Sequence, residues 1–540
     1  MDIKQFRGIT PRIPELYLGV NSATVAHDIN LKHGTLKPWM EPKKLDNVGA
    51  NSLTIAEYGC CFLSWENCVS VAKWKSTCPR IYVTGRVDYP EVGVLNTDTC
   101  EVEYARLGLP MPDITPVVSY ITTPDKSIET SARNYIYTYV NWLGEESAPS
   151  YASSMIVVND GQAVTVSGWV APPSEYRVER VRVYRLVTGF RTGAEKEQEP
   201  TSNYLFVDEI PIEQKHLVDT TKDEGLGYAI STREVREPPA DLQGIVAVDN
   251  TNVLAGFAGN KVYFSQNHQP WNWSLELELT LDDNIVHMVQ EDGELYVSTT
   301  GRPYTIDGTP DCGDRQCRPV VRSDYPFPDI ACGYPHSAIA TPFGMVYAST
   351  DGLVLLSKTK PPTIITDGVM AVDDWRKCRP EATRLAYYAG YVFCVTDAVS
   401  FIMLLDGGTY SADSDYAFMS TISDTPVDMV LSDSGELLML MDNGDLMQWN
   451  SGNKLRPYRW VSAPIQYGSR GWFTSARIRL QGSVNFTVVS ERGNSFERMV
   501  TEDKKFRLPR FGASRDYKVI VEGTGEVFSV LLGPSTVEQV

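Results

Sequence analysis

Apolar and polar residues alternate over most of the chain, and the pattern is clearest in five short stretches. They are 134–142 (NYIYTYVNW), 163–169 (AVTVSGW), 180–186 (RVRVYRL), 259–265 (GNKVYFS) and 294–299 (ELYVST). Successive side chains of a strand point to opposite faces of a sheet, so a period of two that is rich in Val, Ile and Tyr predicts strands. The sequence therefore predicts an all-β protein.

Turn-forming residues punctuate these stretches. The clearest turn dipeptides are Asp292-Gly293, Asp351-Gly352 and Asn443-Gly444. Each lies beside a predicted strand, as tight hairpins require, and the 40 glycines and 33 prolines suit a protein with many turns. A short helix is predicted only around 21–30, where Val25 and Ile29 lie four residues apart.

The second half of the chain repeats itself loosely. Each repeat contains an apolar strand, a turn with Gly or Asp, a strand similar to GxLYVST, a second turn and a third strand. The repeats are 242–266, 285–308, 337–358, 384–406 and 427–450. They recur about every 40 to 50 residues, the length of a four-stranded blade, so they predict a β-propeller with five visible blades. A set of stacked β-sandwiches is the alternative.

The region from 115 to 235 lacks this repeat and has strands at sandwich-like spacing. Proline-rich stretches flank it, as expected of linkers: Pro110, Pro112 and Pro116 before it, Pro238 and Pro239 after it. We therefore predict a β-sandwich that is inserted in the propeller or appended to it. The side chains expected to alternate into its core are Tyr135, Tyr137, Tyr139, Val164, Val166, Val181, Val183 and Phe206.

These features divide the chain into four predicted parts. Residues 1–114 form an N-terminal segment that contributes strands to the propeller, and residues 115–235 form the sandwich. Residues 236–460 form the propeller blades. Residues 461–540 form a C-terminal β segment that closes the propeller or forms a platform.

Charge limits the classes of function. With a formal net charge of -19, the protein is a poor candidate for binding nucleic acid by neutralising phosphates, which needs clustered Lys and Arg. An acidic surface would instead let DNA slide past, although the charge could also serve only solubility. No run of about 18 apolar residues occurs and the first residues lack a signal-peptide core, so we expect a soluble protein without a membrane span.

The cysteines are expected to be reduced, because a chain of this length does not need disulfide staples. The ten are Cys60, Cys61, Cys68, Cys78, Cys100, Cys312, Cys317, Cys332, Cys378 and Cys394. Cys312 and Cys317 are five residues apart, which misses the spacing of a zinc knuckle, and no His pair accompanies them. No metal site is predicted.

Candidate catalytic groups are scattered. The six histidines, none at ligand spacing from another, are His27, His33, His216, His268, His287 and His336. His268 beside Trp271 and Trp273 could form a sugar platform, but Trp is used mostly for packing, which favours a buried structural loop.

Two pairs of adjacent acids, Asp282-Asp283 and Asp373-Asp374, could in principle supply an acid and a base. Neighbours in a strand point to opposite faces, so neither pair places two carboxylates on one substrate. No nucleophile elbow or phosphate loop is present in its required context. The sequence therefore predicts no catalytic, cofactor-binding or metal-binding residue, no cofactor and no enzymatic activity.

Several segments, in the same order along the chain, resemble one family of phage virion proteins. The opening matches at Phe6-Arg7-Gly8, Pro11, Ala23, Val25-Ala26, Asn30, Gly34, Leu36 and Pro38. Residues 134–150 and 164–186 look like the fibronectin or immunoglobulin-like module of that family. Residues 254–273 (LAGFAGNKVYFSQNHQPWNW) and 506–530 also resemble family segments. The family is the nozzle, or tail tubular, proteins of short-tailed bacteriophages.

The resemblance implies a β-propeller with a β-sandwich appendage, assembled as a ring, by family likeness a hexamer. That ring would lie below the portal and the head-to-tail adaptor, contact other tail proteins, and let double-stranded DNA pass without specific binding. It implies a place in the virion tail after synthesis in the bacterial cytoplasm. The alternatives are a tail protein that binds a receptor or glycan on a propeller face, and the distal hub of a longer tail.

Overall fold

The structure is a computed structural model, and it is almost entirely β: strands make up 50% of it and helices 4%. It describes residues 1–74, 79–120, 122–125, 130–159, 161–188, 203–249, 251–273, 277–307, 320–321, 330–357, 360–405, 418–471, 473–510 and 514–533. The chain forms two compact units. The first contains Met1–Cys68, Asp283–Ile306 and Val321–Val540, and the second contains Val69–Asp282 and Asp307–Val320. The predicted fold class, an all-β propeller protein, is confirmed.

The strands are numbered in chain order. The first seven are β1 (Asp2–Ile3), β2 (Ala23–His27), β3 (Ile29–Asn30), β4 (Lys37–Pro38), β5 (Lys43–Asn47), β6 (Thr54–Tyr58) and β7 (Cys61–Trp65). Then follow β8 (Ser70–Trp74), β9 (Arg80–Thr84), β10 (Glu91–Asn96), β11 (Glu101–Arg106), β12 (Val117–Tyr120), β13 (Thr130–Asn141), β14 (Ile156–Asn159), β15 (Val164–Ser167), β16 (Val178–Thr188), β17 (Tyr204–Pro211) and β18 (His216–Asp219). The next are β19 (Gln243–Ala247), β20 (Leu254–Ala258), β21 (Lys261–Phe264), β22 (Leu279–Thr280), β23 (Ile285–Glu291), β24 (Glu294–Thr299), β25 (Tyr304–Asp307) and β26 (Val320–Val321).

The remaining elements belong to the last blades and the C-terminal segment. They are β27 (Ala338–Thr341), β28 (Gly344–Ala348), β29 (Leu353–Leu356), β30 (Thr363–Ile364), the helix α1 (Val372–Lys377), β31 (Arg384–Tyr388), β32 (Tyr391–Val395), β33 (Ser400–Leu404), β34 (Met419–Thr421), β35 (Asp428–Leu431), β36 (Leu437–Leu440) and β37 (Asp445–Gln448). The chain continues with β38 (Tyr458–Ser462), β39 (Ile465–Gly471), β40 (Ser475–Gln481), β41 (Val484–Ser490), β42 (Ser495–Val500), β43 (Phe506–Arg507), β44 (Ser514–Gly523) and β45 (Glu526–Gly533).

Consecutive antiparallel blades build most of the first unit. Their strand orders are β23-β24-β25-β26, β27-β28-β29-β30, β31-β32-β33-β34 and β35-β36-β37-β5. Alternation explains why the blades stack. On β28, Met345 and Tyr347 pack against the blade that precedes it, whereas Val346 packs against the one that follows. Each blade thus has two apolar faces, and both need a neighbour to exclude water.

The N-terminal segment supplies the outer strand of the last of these blades. β5 pairs antiparallel with β37, far away in sequence. β6 and β7 form a hairpin that lies against β35, where the Asp428 carboxylate accepts hydrogen bonds from the backbone N–H groups of Ile55, at 2.8 Å, and Met429, at 2.9 Å. Removal from water raises the pKa of Asp428 to about 6.

The C-terminal segment forms a β-sandwich that is separate from the one predicted at 115–235. One layer, β38-β44-β41-β42, continues through β2 into the blade β31–β34, so a single long sheet joins this sandwich to the propeller. The other layer has the order β1-β45-β40-β43. Between them lies a core that includes Trp460, Phe486, Val519, Ile478 and Val530. This sandwich contains most of the C-terminal range 461–540, for which the sequence predicted a segment that closes the propeller or forms a platform.

The predicted helix at 21–30 is wrong, because the structure has β2 and β3 there. β2 pairs with β38 on one side and with β34 on the other. Thr24 and Val25 are β-branched and favour extended backbone, so the spacing of Val25 and Ile29 did not reflect a helix. Tertiary pairing decided the conformation.

The second unit contains two blades and a sandwich. The blades are β11-β10-β9-β8 and β19-β20-β21-β22, and they share a core with Tyr82 and Val92 on one side and Leu254 and Trp273 on the other. The sandwich has a three-stranded sheet, β12-β15-β18, and a four-stranded sheet, β14-β13-β16-β17. Its strands lie within the range 115–235. The immunoglobulin-like identity of this module stays a prediction.

Seven of the eight predicted core residues of this sandwich lie in its core, and Phe206 does not. Regular alternation would have placed Phe206 on the same face as Ile210. A β-bulge opposite Val183 and Tyr184 inserts one residue, so that Val207 packs on the core and Phe206 turns to the outer face against Tyr184.

The expectation that all cysteines are reduced is also wrong. Cys61 and Cys100 are disulfide-bonded, whereas Cys332, Cys378 and Cys394 are free thiols whose pKa values burial raises. Chain length shows only that a core can form without staples. It does not determine which thiols the fold brings together.

The raised pKa of Asp428 makes stability depend on pH. As pH falls from 7 to 5, Asp428 is protonated in the folded state before it is protonated in the unfolded state. The free energy of unfolding therefore increases by about 1 kcal/mol. We expect the stability of the wild type, relative to Asp428→Asn, to increase by that amount over this interval in urea titrations at each pH. A difference that stays constant with pH would contradict the assignment.

Candidate functional site

Aspartates occupy the turn between the second and third strands in three consecutive blades of the first unit. Asp351 lies in the turn from β28 to β29, Asp397 in that from β32 to β33, and Asp442 in that from β36 to β37. Equivalent turns of propeller blades lie on the same face. We call Asp351, Asp397 and Asp442 the acidic turns.

Side-chain hydroxyl groups shape two of these turns. The Ser349 hydroxyl donates to the carbonyl of Gly352 at 2.8 Å and accepts the N–H of Asp351 at 3.2 Å. Thr396 bonds in the same way to Val399 and Ala398. These bonds satisfy the backbone of each turn locally. The Asp351 carboxylate forms a salt bridge with Arg376 at 3.2 Å, and that of Asp397 lies 3.9 Å from the guanidinium of Arg384.

The third turn uses a glycine instead. Gly444 has φ +82°, and a Cβ atom there would lie 2.4 Å from the backbone of Gly49. A side chain at this position would therefore disrupt both the turn and its contact with the segment after β5. Asp442 is exposed, and no residue among those described forms a salt bridge with it.

One predicted turn lies elsewhere. Asp292-Gly293 joins β23 to β24, which are the first and second strands of their blade. Successive turns of an antiparallel sheet alternate between its two ends, so Asp292 faces away from Asp351 and Asn443. The three turn dipeptides therefore do not act together at one end of the blades.

Charge is unevenly distributed along the chain. Residues 385–453 contain ten Asp and Glu and no Lys or Arg, whereas residues 454–540 contain fourteen Lys and Arg and eight Asp and Glu. The net charge of -19 thus conceals a basic C-terminal part. The sequence analysis did not identify this basic part because it considered only the net charge of the whole chain.

Arginines project from the outer face of the sheet β1-β45-β40-β43. Ile478 points into the core, so Arg477 and Arg479 on the same strand point outward, and Arg507 on β43 lies beside Ser475. Asp503 forms a salt bridge with Arg477 at 2.7 Å. Among the described residues, no carboxylate forms a salt bridge with Arg479 or Arg507, and both are exposed. We call this face the arginine sheet.

A serine and a histidine distant in sequence meet beside β2. The Ser423 hydroxyl lies 3.0 Å from Nε2 of His27, and Nδ1 of His27 lies 2.9 Å from the Thr421 hydroxyl. In a catalytic triad, a carboxylate would bond the imidazole nitrogen remote from the serine. Here Asp28 bonds the serine itself, through both its hydroxyl and its backbone N–H.

Asp28 is also a structural anchor. It is buried and forms a salt bridge with Arg456 at 3.1 Å, and Arg456 in turn pairs with Asp424 at 2.5 Å. The cluster therefore fixes β2 to the segment after β34, and it does not activate a nucleophile. Neither His27 nor Ser423 was expected to meet the other, because 396 residues separate them.

Two other histidines approach each other without forming a ligand site. The rings of His287 and His336 are 6.1 Å apart, and removal from water lowers the pKa of His287 to about 4. Neutral imidazoles can bind metal, but within the described ranges no three His, Cys, Asp or Glu side chains cluster to hold an ion. Cys312 and Cys317 lie outside the described residues.

The tryptophan loop is structural, as the packing argument favoured. Trp273 is buried, and its Nε1 donates to the carbonyl of Pro270 at 2.9 Å. Trp271 donates to the carbonyl of Glu146 at 3.2 Å. His268 has φ +57° and bonds Asn252, so its ring is part of the turn. His268 is exposed, Trp271 is half-buried and Trp273 is buried.

The paired acids do not form an acid–base site. Asp283 accepts the backbone N–H of Arg302 at 3.2 Å, which caps a blade turn. Asp374 forms a salt bridge with Lys377 one turn along α1, while Asp373 is exposed. One acid of each pair, Asp283 and Asp374, thus has a local structural role. In the part of the chain that the structure describes, no helix is long and apolar enough to cross a membrane.

Within the second unit, ion pairs and a cation–π contact connect the sandwich to a blade. Arg80 on β9 pairs with Glu145 at 2.9 Å, and the guanidinium of Arg177 lies 4.0 Å from the ring centre of Trp142 while it pairs with Glu103 at 2.7 Å. Burial raises the pKa of Glu145. These polar contacts connect the sandwich to the blade.

The interior of the same sandwich contains a buried ion pair. Arg185 and Asp219 are both fully buried and lie 2.6 Å apart. The Tyr135 hydroxyl donates to Asp219 at 2.8 Å, and Asp223 accepts a bond from Arg185 at 2.8 Å. Such a network is costly to leave incomplete, because a buried charge without its partner cannot be solvated.

Removal of Asp219 tests this network. We expect Asp219→Ala to destabilise the protein by about 3–5 kcal/mol, because Arg185 would keep its charge in a site without water. Urea unfolding followed by tryptophan fluorescence measures the change. Asp208→Ala, an exposed acid on the neighbouring strand β17, is the matched control and should change stability by less than about 0.5 kcal/mol. Equal effects of the two variants would contradict the account.

Comparisons with known proteins add little. No family model and no curated protein matches the sequence. Among solved structures, the WD40 repeats of RRP9 give a TM-score of 0.29 at 8% identity, over 77% of this chain and 100% of that chain. BamB from Moraxella catarrhalis gives 0.26 at 10% identity, over 76% and 96%. TM-scores this low do not support an inference. The fold assignment rests on the blades described above.

Proposed function

We propose that the chain is a structural subunit of a short-tailed phage tail, in which copies form a nozzle ring that is part of the DNA-ejection conduit. Two things support the proposal. The sequence resembles the nozzle family in the same order from Phe6 to Val530, and the fold has the propeller and sandwich that this family is expected to have. The observation that carries it furthest is the alignment of acidic turns on one face of consecutive blades.

An acidic rim suits a channel through which DNA must pass. DNA is held by proteins that replace its counterions with Lys and Arg, and a surface of carboxylates offers no such sites. Local hydrogen bonds close the turns that carry Asp351, Asp397 and Asp442. We propose that these turns face the lumen, where they repel the phosphates and narrow the passage.

The proposal includes the partners that the family resemblance implies. These are further copies of the chain in a ring, by resemblance a hexamer, the head-to-tail adaptor and other tail proteins. We also propose that the protein turns over no substrate. Among the groups that could have supplied chemistry, Ser423 and one acid of each pair, Asp283 and Asp374, have structural partners.

The second class of function, binding of a receptor or glycan, has no observation in its favour. Its best candidate was the loop with His268 and Trp271, whose side chains form hydrogen bonds with Asn252 and Glu146 of the same chain. A glycan array tests it directly. Binding of a defined glycan would favour a receptor-binding role and count against a conduit.

Localisation in the particle tests the proposal. We expect a gold label on this protein to appear in negative-stain images at the axis of the tail, below the portal vertex. Label at the tips of fibres would instead indicate a receptor-binding protein. Particles without label would exclude the chain from the virion.

Weak affinity for DNA is a second expected outcome. Because the acidic turns repel phosphates, the assembled protein should show little or no binding to a short DNA duplex at physiological salt. The triple variant Asp351→Asn, Asp397→Asn, Asp442→Asn should bind more strongly, and fluorescence anisotropy measures both. Strong, salt-sensitive binding by the wild type would contradict a low-friction conduit.

A further inference from the structure

A run of exposed residues, 11–17 (PRIPELY), lies on the surface of the first unit. Three of its side chains are large and apolar: Tyr17 is 81% exposed, Leu16 62% and Ile13 41%. Single exposed apolar residues are ordinary in proteins, but three in one short loop are a candidate contact with another molecule. We call 11–17 the apolar loop.

Local hydrogen bonds anchor the apolar loop. The backbone N–H of Arg12 donates to the carbonyl of Val369 at 2.9 Å. The N–H of Tyr17 donates to the carbonyl of Pro14 at 2.9 Å, which closes a single 3-10 turn. Pro11 and Pro14 fix their own φ angles. These restraints limit the conformational entropy that the loop would lose when a partner binds.

Both charged side chains of the loop have partners in the same chain. Arg12 forms a salt bridge with Asp367 at 2.6 Å, and Glu15 forms one with Lys518 at 2.7 Å. The side chain of Tyr17 forms no hydrogen bond with any described residue. A surface that complements the loop should therefore lack fixed charges and should offer hydrogen-bonding groups to a tyrosine hydroxyl.

The sheet β12-β15-β18 in the sandwich of the second unit presents such a surface. Val118, Val166 and Leu217 point into the sandwich core, so the alternate residues of the three strands face outward. None of the outward residues is Asp, Glu, Lys or Arg, and three of them carry hydroxyl groups. We call these six residues the hydroxyl face: Val117, Ser119, Thr165, Ser167, His216 and Val218.

The hydroxyl face is open in the single chain. Val117 is 60% exposed and Val218 45%. In the part of the chain that the structure describes, no group forms a hydrogen bond with the hydroxyls of Ser119, Thr165 or Ser167. Solvated surfaces are rich in charged side chains, so six outward positions without Asp, Glu, Lys or Arg favour a face that another protein covers.

We propose that the apolar loop of one copy docks on the hydroxyl face of a second copy of this chain. Ile13 and Leu16 would cover Val117 and Val218, and the Tyr17 hydroxyl would bond the hydroxyls between them. The proposal rests on the ring proposed above and assigns the surfaces that form it. Every copy carries both halves of this match, which is why the partner is a second copy.

The geometry of such a contact suits a ring. It joins two different surfaces, so it is heterologous, and a heterologous contact repeats from copy to copy until the rotation closes a ring. Neither surface contains an aspartate of the acidic turns. Those turns stay free to face the lumen.

Two variants test the contact from both sides. One carries Leu16→Asp and Tyr17→Asp, and the other carries Val117→Lys and Val218→Lys; all four side chains are exposed. Each variant places charge in a contact that has no fixed charge, so each alone should self-associate at least about tenfold more weakly than the wild type. Light scattering coupled to size exclusion, over a series of concentrations, measures this.

Mixing the two variants provides the decisive result. The Asp variant retains a native hydroxyl face and the Lys variant retains a native apolar loop, so an equimolar mixture should associate although neither variant does so alone. The other contact in the mixture joins Asp to Lys, which are of opposite charge. Because the native contact is apolar, self-association of the wild type should not weaken when salt is raised from about 0.1 to about 1 M.

Matched controls place the same charges on exposed apolar residues elsewhere. One is Leu431→Asp with Met499→Asp in the first unit, and the other is Met155→Lys with Val157→Lys beside the other sheet of the sandwich. Each should alter self-association by less than about twofold. Circular dichroism identifies a variant that fails to fold, and recovery in the mixture excludes unfolding as the cause of a loss.

The other outcomes overturn the inference and separate it from the nozzle proposal. If the wild type associates and either variant associates equally well, that surface is not part of the contact, while the ring stands. Association that is lost at about 1 M salt would indicate a charged contact instead. If the Asp variant self-associates normally but is missing from assembled particles, the loop contacts another tail protein. If the wild type is monomeric at every concentration, this inference fails, and the label in the virion decides separately whether the nozzle proposal fails with it.

Discussion

Burial of both faces of every blade is the constraint on which the rest of the first unit depends. Tyr347 and Val346 are neighbours on β28, and their side chains point to opposite faces of the blade. The blade is therefore stable only when another blade or segment covers each face. The last blade of such a stack has one apolar face that no further blade covers. In the last blade, the hairpin β6–β7 covers that face, because Ile55 and Phe62 pack against Leu438, Leu440 and Leu446.

The same arrangement separates the charges. Residues that must alternate into the blade cores leave mainly turns and outer strands for ionisable groups, where acids such as Asp351 and Asp445 pair with Arg376 and Lys44. The C-terminal sandwich keeps its arginines on the layer that does not join the propeller.

Local pattern was enough to predict the strands, the repeated blades and most of the sandwich core, because alternation is set by the geometry of a strand. It failed where contacts distant in sequence decide the outcome. Residues 23–30 are extended because β34 and β38 pair with β2, and Phe206 faces outward because one inserted residue shifts the alternation. The blade β8–β11 lacks the GxLYVST strand, and its Gly93 leaves room for Val102 and Ile81, so it did not resemble the other repeats.

Electron cryomicroscopy of the purified assembly tests the central claim, that copies of this chain form a conduit, most directly. The account predicts a closed ring whose subunits direct Asp351, Asp397 and Asp442 toward the lumen. A ring lined by Arg479 and Arg507, or particles that remain single subunits at all concentrations, would contradict it.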